Sequence, residues 1–178
     1  MEVEQAQRLT DDTRNLFIMM KVGLLGCGNI GHIIAEHATG FTITAVYDVV
    51  PERAQEIARL SSARAFGTFE SFMNADIDIV VEAASVVAVW MHAQDVLLHH
   101  KNLIIMSVGA LADPAFRDQI RRTALESGTK VFIPSGAIFG LDNLKIGRIS
   151  KITRLLLRTT KSPASLGMVA DERRLIFS

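Results

Sequence analysis

A chain of 178 residues with 49% hydrophobic content can bury one good core and part of a second. Nineteen basic residues balance nineteen acidic ones, so there is no long-range positive field of the kind that a nucleic-acid backbone or an anionic membrane selects, and neither is expected as a partner. The single cysteine, Cys27, excludes an internal disulfide, the opening stretch lacks a basic start and an apolar signal core, and the apolar runs fall short of the roughly 20 residues that cross a bilayer; a cytoplasmic protein is expected.

Residues 1–19, "MEVEQAQRLTDDTRNLFIM", are polar and mixed in charge. They read as an N-terminal extension: either an appended surface helix, or residues preceding a true initiator at Met19 or Met20. From Met20 onward short β-branched runs alternate with helical patterns. "KVGLL" leads to a helix over 30–38, "TITAVYD" to a helix over 51–60, then come "RAF" and "TFESFM". "IDIVVEA" leads to a helix over 86–100, "LIIMS" to a helix over 114–127, and "KVFIP" closes the series. Strands apolar throughout, each followed by a helix, predict a parallel sheet covered on both faces. Residues 20–134 are therefore expected to form an α/β domain, a doubly wound parallel sheet of the Rossmann type.

After Pro134 the texture changes. "SGAIFGLDNLKIG" carries three glycines, "SKITRLLLRTTKSPASLG" reads as a long strand ending in a turn, and "RRLIFS" as the opening of another strand. Residues 135–178 are expected to be the start of a second, α+β domain. So few strands would leave an apolar face and open edges, so this domain is expected to be incomplete in the chain as given.

The run Gly26-Cys27-Gly28-Asn29-Ile30-Gly31 follows the first strand and opens the first helix. In that context Gly26 permits a tight turn, Gly28 lets the backbone approach a pyrophosphate, and Gly31 allows helix to pack on strand, with the helix amides facing the anion. Asp48 ends the second strand 22 residues after Gly26, where a carboxylate accepts hydrogen bonds from the adenosine ribose. A 2′-phosphate about 4 Å from that carboxylate would be repelled by roughly 4 kcal/mol at an effective dielectric near 20, which favours NAD over NADP. Arg53 is placed to meet a 2′-phosphate, or else is a solvated helix residue paired with Glu52 or Glu56.

At the same sheet edge, Ala83 and Ala84 are small enough to let a cofactor pass, and Ser85 reads as the N-cap of the next helix and as a contact to the nicotinamide ribose. Glu82 reads either as orienting a loop or the substrate, or as a plain strand-end carboxylate. The turn "SVGALAD" brings Val108, Gly109 and Ala110 to the nicotinamide pocket. His32, His37, His92, His99 and His100 lie in or at the ends of predicted helices and read as exposed or capping residues, so no general base is assigned. Cys27 stands at a helix N-terminus, a place that lowers a thiol pKa, but with no base beside it in sequence it reads as a small packing residue. Trp90, with apolar residues around it at helical spacing, reads as core. No metal site is expected.

With "GLLGCGNIG", "VVEAAS", "SVGALAD", "IPSGAIFGLDNL" and "TTKSPASLG" in this order, the sequence resembles the L-aspartate dehydrogenase family from Met20 to about Ser178. The first motif is shared by many dehydrogenases; the last two are specific. The resemblance implies an enzyme that uses NAD, with NADP possible, to oxidise L-aspartate to iminosuccinate in NAD biosynthesis. It adds Asn29, Ile30 and Ala137 to the cofactor contacts and places Ser135, Gly136 and Lys161 at the substrate. For Arg154 and Arg158, which share one face by period-2 alternation, a solvated strand face is the expected role. A homodimer is expected. The family's catalytic histidine belongs to a segment beyond those matched here, so the alternative is a non-catalytic NAD-binding module. A sugar-type dehydrogenase is disfavoured, since no Glu-Lys-Pro context follows the fourth strand.

Overall fold

A computed structural model describes residues 20–135 together with Lys151, Thr153, Arg154, Leu156 and Arg158. The chain divides into two units, Met1–Ala137 and Ile138–Ser178. In the first unit, six strands form one parallel sheet in the order β3-β2-β1-β4-β5-β6. They are β1 (Lys21–Leu25), β2 (Thr42–Tyr47), β3 (Arg64–Ala65), β4 (Ile79–Glu82), β5 (Asn102–Ile105) and β6 (Val131–Phe132). The helices between them are α1 (Asn29–Glu36), α2 (Pro51–Ser61), α3 (Phe69–Met73), α4 (Val86–Leu98) and α5 (Pro114–Glu126), with a 3-10 turn at Val108–Ala112. This is the doubly wound order, whose direction reverses between β1 and β4.

The core explains why these apolar runs become strands. Alternate residues point to opposite faces of a sheet, and here both faces are covered. Val22, Leu24, Ile43, Ile79 and Val81 pack with Ala35 of α1 and with Ala54 and Ile57 of α2. Leu25, Ala45, Val80, Leu103 and Ile105 pack with Phe72 of α3, with Val89, Val96 and Leu97 of α4, and with Ile120 of α5. Helix starts follow their capping residues. Ser85 accepts a hydrogen bond from the Ala88 amide at 3.1 Å, Asp113 from the Phe116 amide at 3.0 Å, and Pro51 and Pro114 occupy first-turn positions that need no donor.

Some boundaries differ from those read off the sequence. "KVFIP" supplies only a two-residue strand, and among the described residues β6 pairs with β5 alone, Leu103 with Val131 and Ile104 with Phe132. "TFESFM" forms the short helix α3, capped by Thr68. In "SKITRLLLRTT", where a strand is predicted, the described residues Lys151, Thr153, Arg154, Leu156 and Arg158 are exposed and are assigned to no helix or strand. Residues 1–19, Gly136, Ala137 and Lys161 lie outside the described residues. Among the described residues no helix is long and apolar enough to cross a membrane.

Candidate dinucleotide-binding site

Strand register brings the candidate residues to one edge. Leu25 stands beside Tyr47 on one side and Glu82 on the other, and Glu82 stands beside Ile105. The segments leaving β1, β2, β4 and β5 therefore emerge side by side at the carboxyl end of the sheet, around the point where strand order reverses. Backbone hydrogen bonds continue across these exits: Gly26 N to Tyr47 O at 2.9 Å, Ala83 N to Leu25 O at 2.8 Å, and Met106 N to Glu82 O at 3.1 Å.

The three glycines of the first turn have different surroundings. Gly26 has φ +99°, and a Cβ there would lie 2.6 Å from the Ala84 amide nitrogen and 2.7 Å from the Ala83 carbonyl carbon. A Cβ at Gly31 would lie 2.4 Å from the Gly26 carbonyl oxygen, so α1 rests directly on the turn. At Gly28 a Cβ would meet nothing within 4 Å. Gly28 caps α1 with no side-chain bond, and the amides of Gly28, Asn29 and Ile30 find no acceptor among the described residues. Open space in front of unpaired helix amides is the arrangement that a phosphate group fits.

Asp48 is half-buried, and its carboxylate is fixed by two backbone donors: Oδ2 accepts from Cys27 N at 2.7 Å and Oδ1 from Val50 N at 2.8 Å. The side chain thus links the exit of β2 to the glycine turn, and each oxygen retains a lone pair for a further donor. Cys27 is 5% exposed, and its thiol is pushed up to about 12, first by burial and then by the nearby Asp48 charge. The lowering that a helix N-terminus brings is overridden, and the packing role holds. Arg53 is exposed on α2, while Glu56 faces His32 at 4.0 Å.

On the other half of the edge, Glu82 is 1% exposed yet bonded three times. Oε1 accepts from Ala84 N at 2.8 Å and from Ser107 Oγ at 2.9 Å, while Oε2 accepts from Ser107 N at 3.0 Å. It is a loop-orienting residue and no solvated strand end. Ala84, Ser85, Val108 and Gly109 are exposed, and Ala83 is half-buried. Ala110 departs from its expected place. It is wholly buried, its amide bonds to Ser107 O at 3.1 Å and its carbonyl accepts the Trp90 indole N–H at 3.3 Å, so it supports the turn from behind.

Two other readings need correction. Trp90 is 52% exposed, because the buried stripe of α4 is Val89, Ala93, Val96 and Leu97 and Trp90 falls beside it. His92 is half-buried and stacks on Phe69 with ring centroids 3.9 Å apart; burial lowers its pKa. His99 and His100 are exposed and bond backbone carbonyls at helix ends. Ser135 is half-buried after β6. Ser107 is the residue sequence reasoning left out of the site; its signal was a hydroxyl at the exit of one apolar strand beside a carboxylate at the exit of its neighbour. Among the described residues no group of three or more histidine, cysteine or acidic side chains could hold a metal ion.

Residues 23–134 match the family model described as "Homoserine dehydrogenase, NAD binding domain". L-aspartate dehydrogenase of Methanospirillum hungatei is 54% identical over 159 residues, covering 89% of this chain and 63% of that protein. L-aspartate dehydrogenase of Methanocaldococcus jannaschii is 39% identical over 153 residues, covering 83% and 57%. The crystal structure of aspartate dehydrogenase from Thermotoga maritima superposes with a TM-score of 0.62 at 30% identity, covering 85% of this chain and 60% of that one. The chain thus spans about three-fifths of the length of the relatives it matches.

Proposed function

The chain belongs to the aspartate/homoserine dehydrogenase family of NAD-binding domains, and from that premise we propose that it serves an NAD-dependent oxidoreductase, NADP being possible, that converts L-aspartate to iminosuccinate. The observation that carries the reading is the glycine turn with its unpaired helix amides, in a chain whose matched relatives are L-aspartate dehydrogenases. When bound, the dinucleotide supplies the hydride acceptor for this oxidation.

This chain's own residues bind and orient. The amides of Gly28, Asn29 and Ile30 hold the pyrophosphate, with Gly26 and Gly31 shaping the turn beneath. Asp48 takes the adenosine ribose and disfavours a 2′-phosphate. Ala83, Ala84, Ser85, Val108 and Gly109 flank the opposite half of the dinucleotide, and Ala137 completes its contacts. Residues 20–134 act as the dinucleotide domain, and 135–178 begin the substrate domain. Aspartate's two carboxylates need fixed donors, for which Ser135, Gly136 and Lys161 are proposed. Loss of the amine proton requires an acid–base group, which is not assigned among these residues. A cytoplasmic homodimer completes the proposal, and sedimentation velocity reads its mass.

The test is L-aspartate-dependent formation of NADH by the purified protein, with D-aspartate and L-homoserine as controls and NAD affinity measured by calorimetry. NADH formed with L-aspartate alone supports the reading. NAD binding without turnover on any of the three removes the substrate assignment and favours a binding module. No NAD binding removes both.

A further inference from the structure

Resting on the dinucleotide reading above, we infer that Glu82 is a positioning residue that holds the β4–α4 and β5 exit loops in register to receive the nicotinamide half of the cofactor. The placement follows from topology. A dinucleotide lies across the crevice where strand order reverses, so the half that leaves Asp48 and the glycine turn runs over the exits of β4 and β5.

The carboxylate has no route to the reaction itself. It is 1% exposed, and it lines one narrow internal gap together with Leu25, Ala88, Val89 and Leu103. A carboxylate in apolar surroundings is tolerated only when donors surround it, and all three of its donors come from the two loops. Ala84 N lies two residues on, and Ser107 N and Oγ lie 25 residues on. Both loops meet again where a Cβ on Gly109 would approach Val86 Cγ2 at 3.4 Å. One buried group therefore sets the spacing between Ala84–Ser85 on one side and Val108–Gly109 on the other.

The distribution of the bonds makes two acceptor oxygens necessary. The Ala84 and Ser107 amides point at different oxygens, Oε1 and Oε2. Glu82→Gln keeps the shape but offers one acceptor and one NH2 group, so it must turn a donor against one of the two amides whichever way the amide is flipped. One loop is then released. Ser107→Ala removes only the hydroxyl bond and leaves both amide bonds in place.

The experiment compares NAD with ADP, which carries the adenosine and pyrophosphate and no nicotinamide, by calorimetry on the parent, Glu82→Gln and Ser107→Ala proteins. The expected result is parent-like ADP affinity in both variants, with NAD affinity about tenfold weaker in Glu82→Gln and weakened by a smaller factor in Ser107→Ala. If Glu82→Gln does not fold, the Ser107→Ala ratio of NAD to ADP affinity decides alone. An unchanged ratio overturns the inference, and so does an equal loss for both ligands, which marks a general structural role. A parent protein that binds ADP but gains nothing from the nicotinamide half also overturns it while leaving the glycine turn intact. A parent that binds neither ligand removes the dinucleotide reading itself.

Discussion

One methyl group, added in turn to two glycines of the same loop, separates the residue that builds the fold from the residue proposed to face a ligand. At Gly26 the backbone has φ +99°, and the new Cβ would overlap Ala84 N and Ala83 C, backbone atoms already tied to β1 through the bond from Ala83 N to Leu25 O. Holding alanine at such a φ costs about 1–3 kcal/mol, and the overlap costs about 1–3 kcal/mol more. Taking about 4 kcal/mol, and roughly 2–4 °C per kcal/mol for a chain of this size, Gly26→Ala should lower the melting temperature by about 8–16 °C. At Gly28 the same methyl meets nothing within 4 Å, so Gly28→Ala should lose no more than about 1 kcal/mol through the weaker N-cap. It nevertheless places a carbon in the space proposed for the pyrophosphate, and NAD affinity should fall by about ten- to a hundredfold. Thermal melts followed by circular dichroism without ligand, and NAD titration by calorimetry, read the two effects separately. A Gly26→Ala protein that melts with its parent would refute the packing argument, and a Gly28→Ala protein with parental NAD affinity would show that the open space is not the pyrophosphate seat.

Asp48→Ala should weaken NAD binding and narrow its advantage over NADP, since it removes the proposed ribose acceptor and the like-charge repulsion together. It should also cost about 1–3 kcal/mol of stability by leaving the Cys27 and Val50 amides unpaired. Paired titrations with both dinucleotides check the ratio, and an unchanged ratio would take Asp48 away from the ribose. Cys27 should resist alkylation in the native protein near pH 8 and react on unfolding. Its thiol ordinarily titrates at 9.0 and is raised to about 12, so the unfolded chain gives up its proton first as pH rises. The contribution to stability is full below about 9 and is lost between there and about 12, so urea midpoints should fall over that window less steeply in Cys27→Ala than in the parent.

Much of the fold is legible in the sequence because its signals are local. A β-branched run needs no partner to declare itself apolar on both faces, and Ser85, Asp113, Pro51 and Pro114 mark helix starts through bonds within a few residues. The glycine turn is legible for the same reason, since the constraint at Gly26 is written in one residue type. Trp90 illustrates the limit. α4 is apolar nearly all round, so periodicity alone does not say that Val89 and Ala93 take the core while Trp90 stays half outside.

The sequence by itself determined the alternation of strands and helices, the glycine turn and the strand-end carboxylate at Asp48. Only the tertiary structure decided what the buried carboxylate and the turn residues do. Glu82 next to Ala83 reads the same whether solvated or enclosed, and what separates the cases is the pairing of Glu82 with Ile105 across β4 and β5, which delivers Ser107 to within 3.0 Å. The same pairing turns Ala110 inward and lets the indole of Trp90 close over its carbonyl. Those contacts join residues 20 and 25 positions apart, and they exist only once the parallel register has formed, because a buried carboxylate or carbonyl needs matching donors and here distant segments bring Ser107 and Trp90 to them.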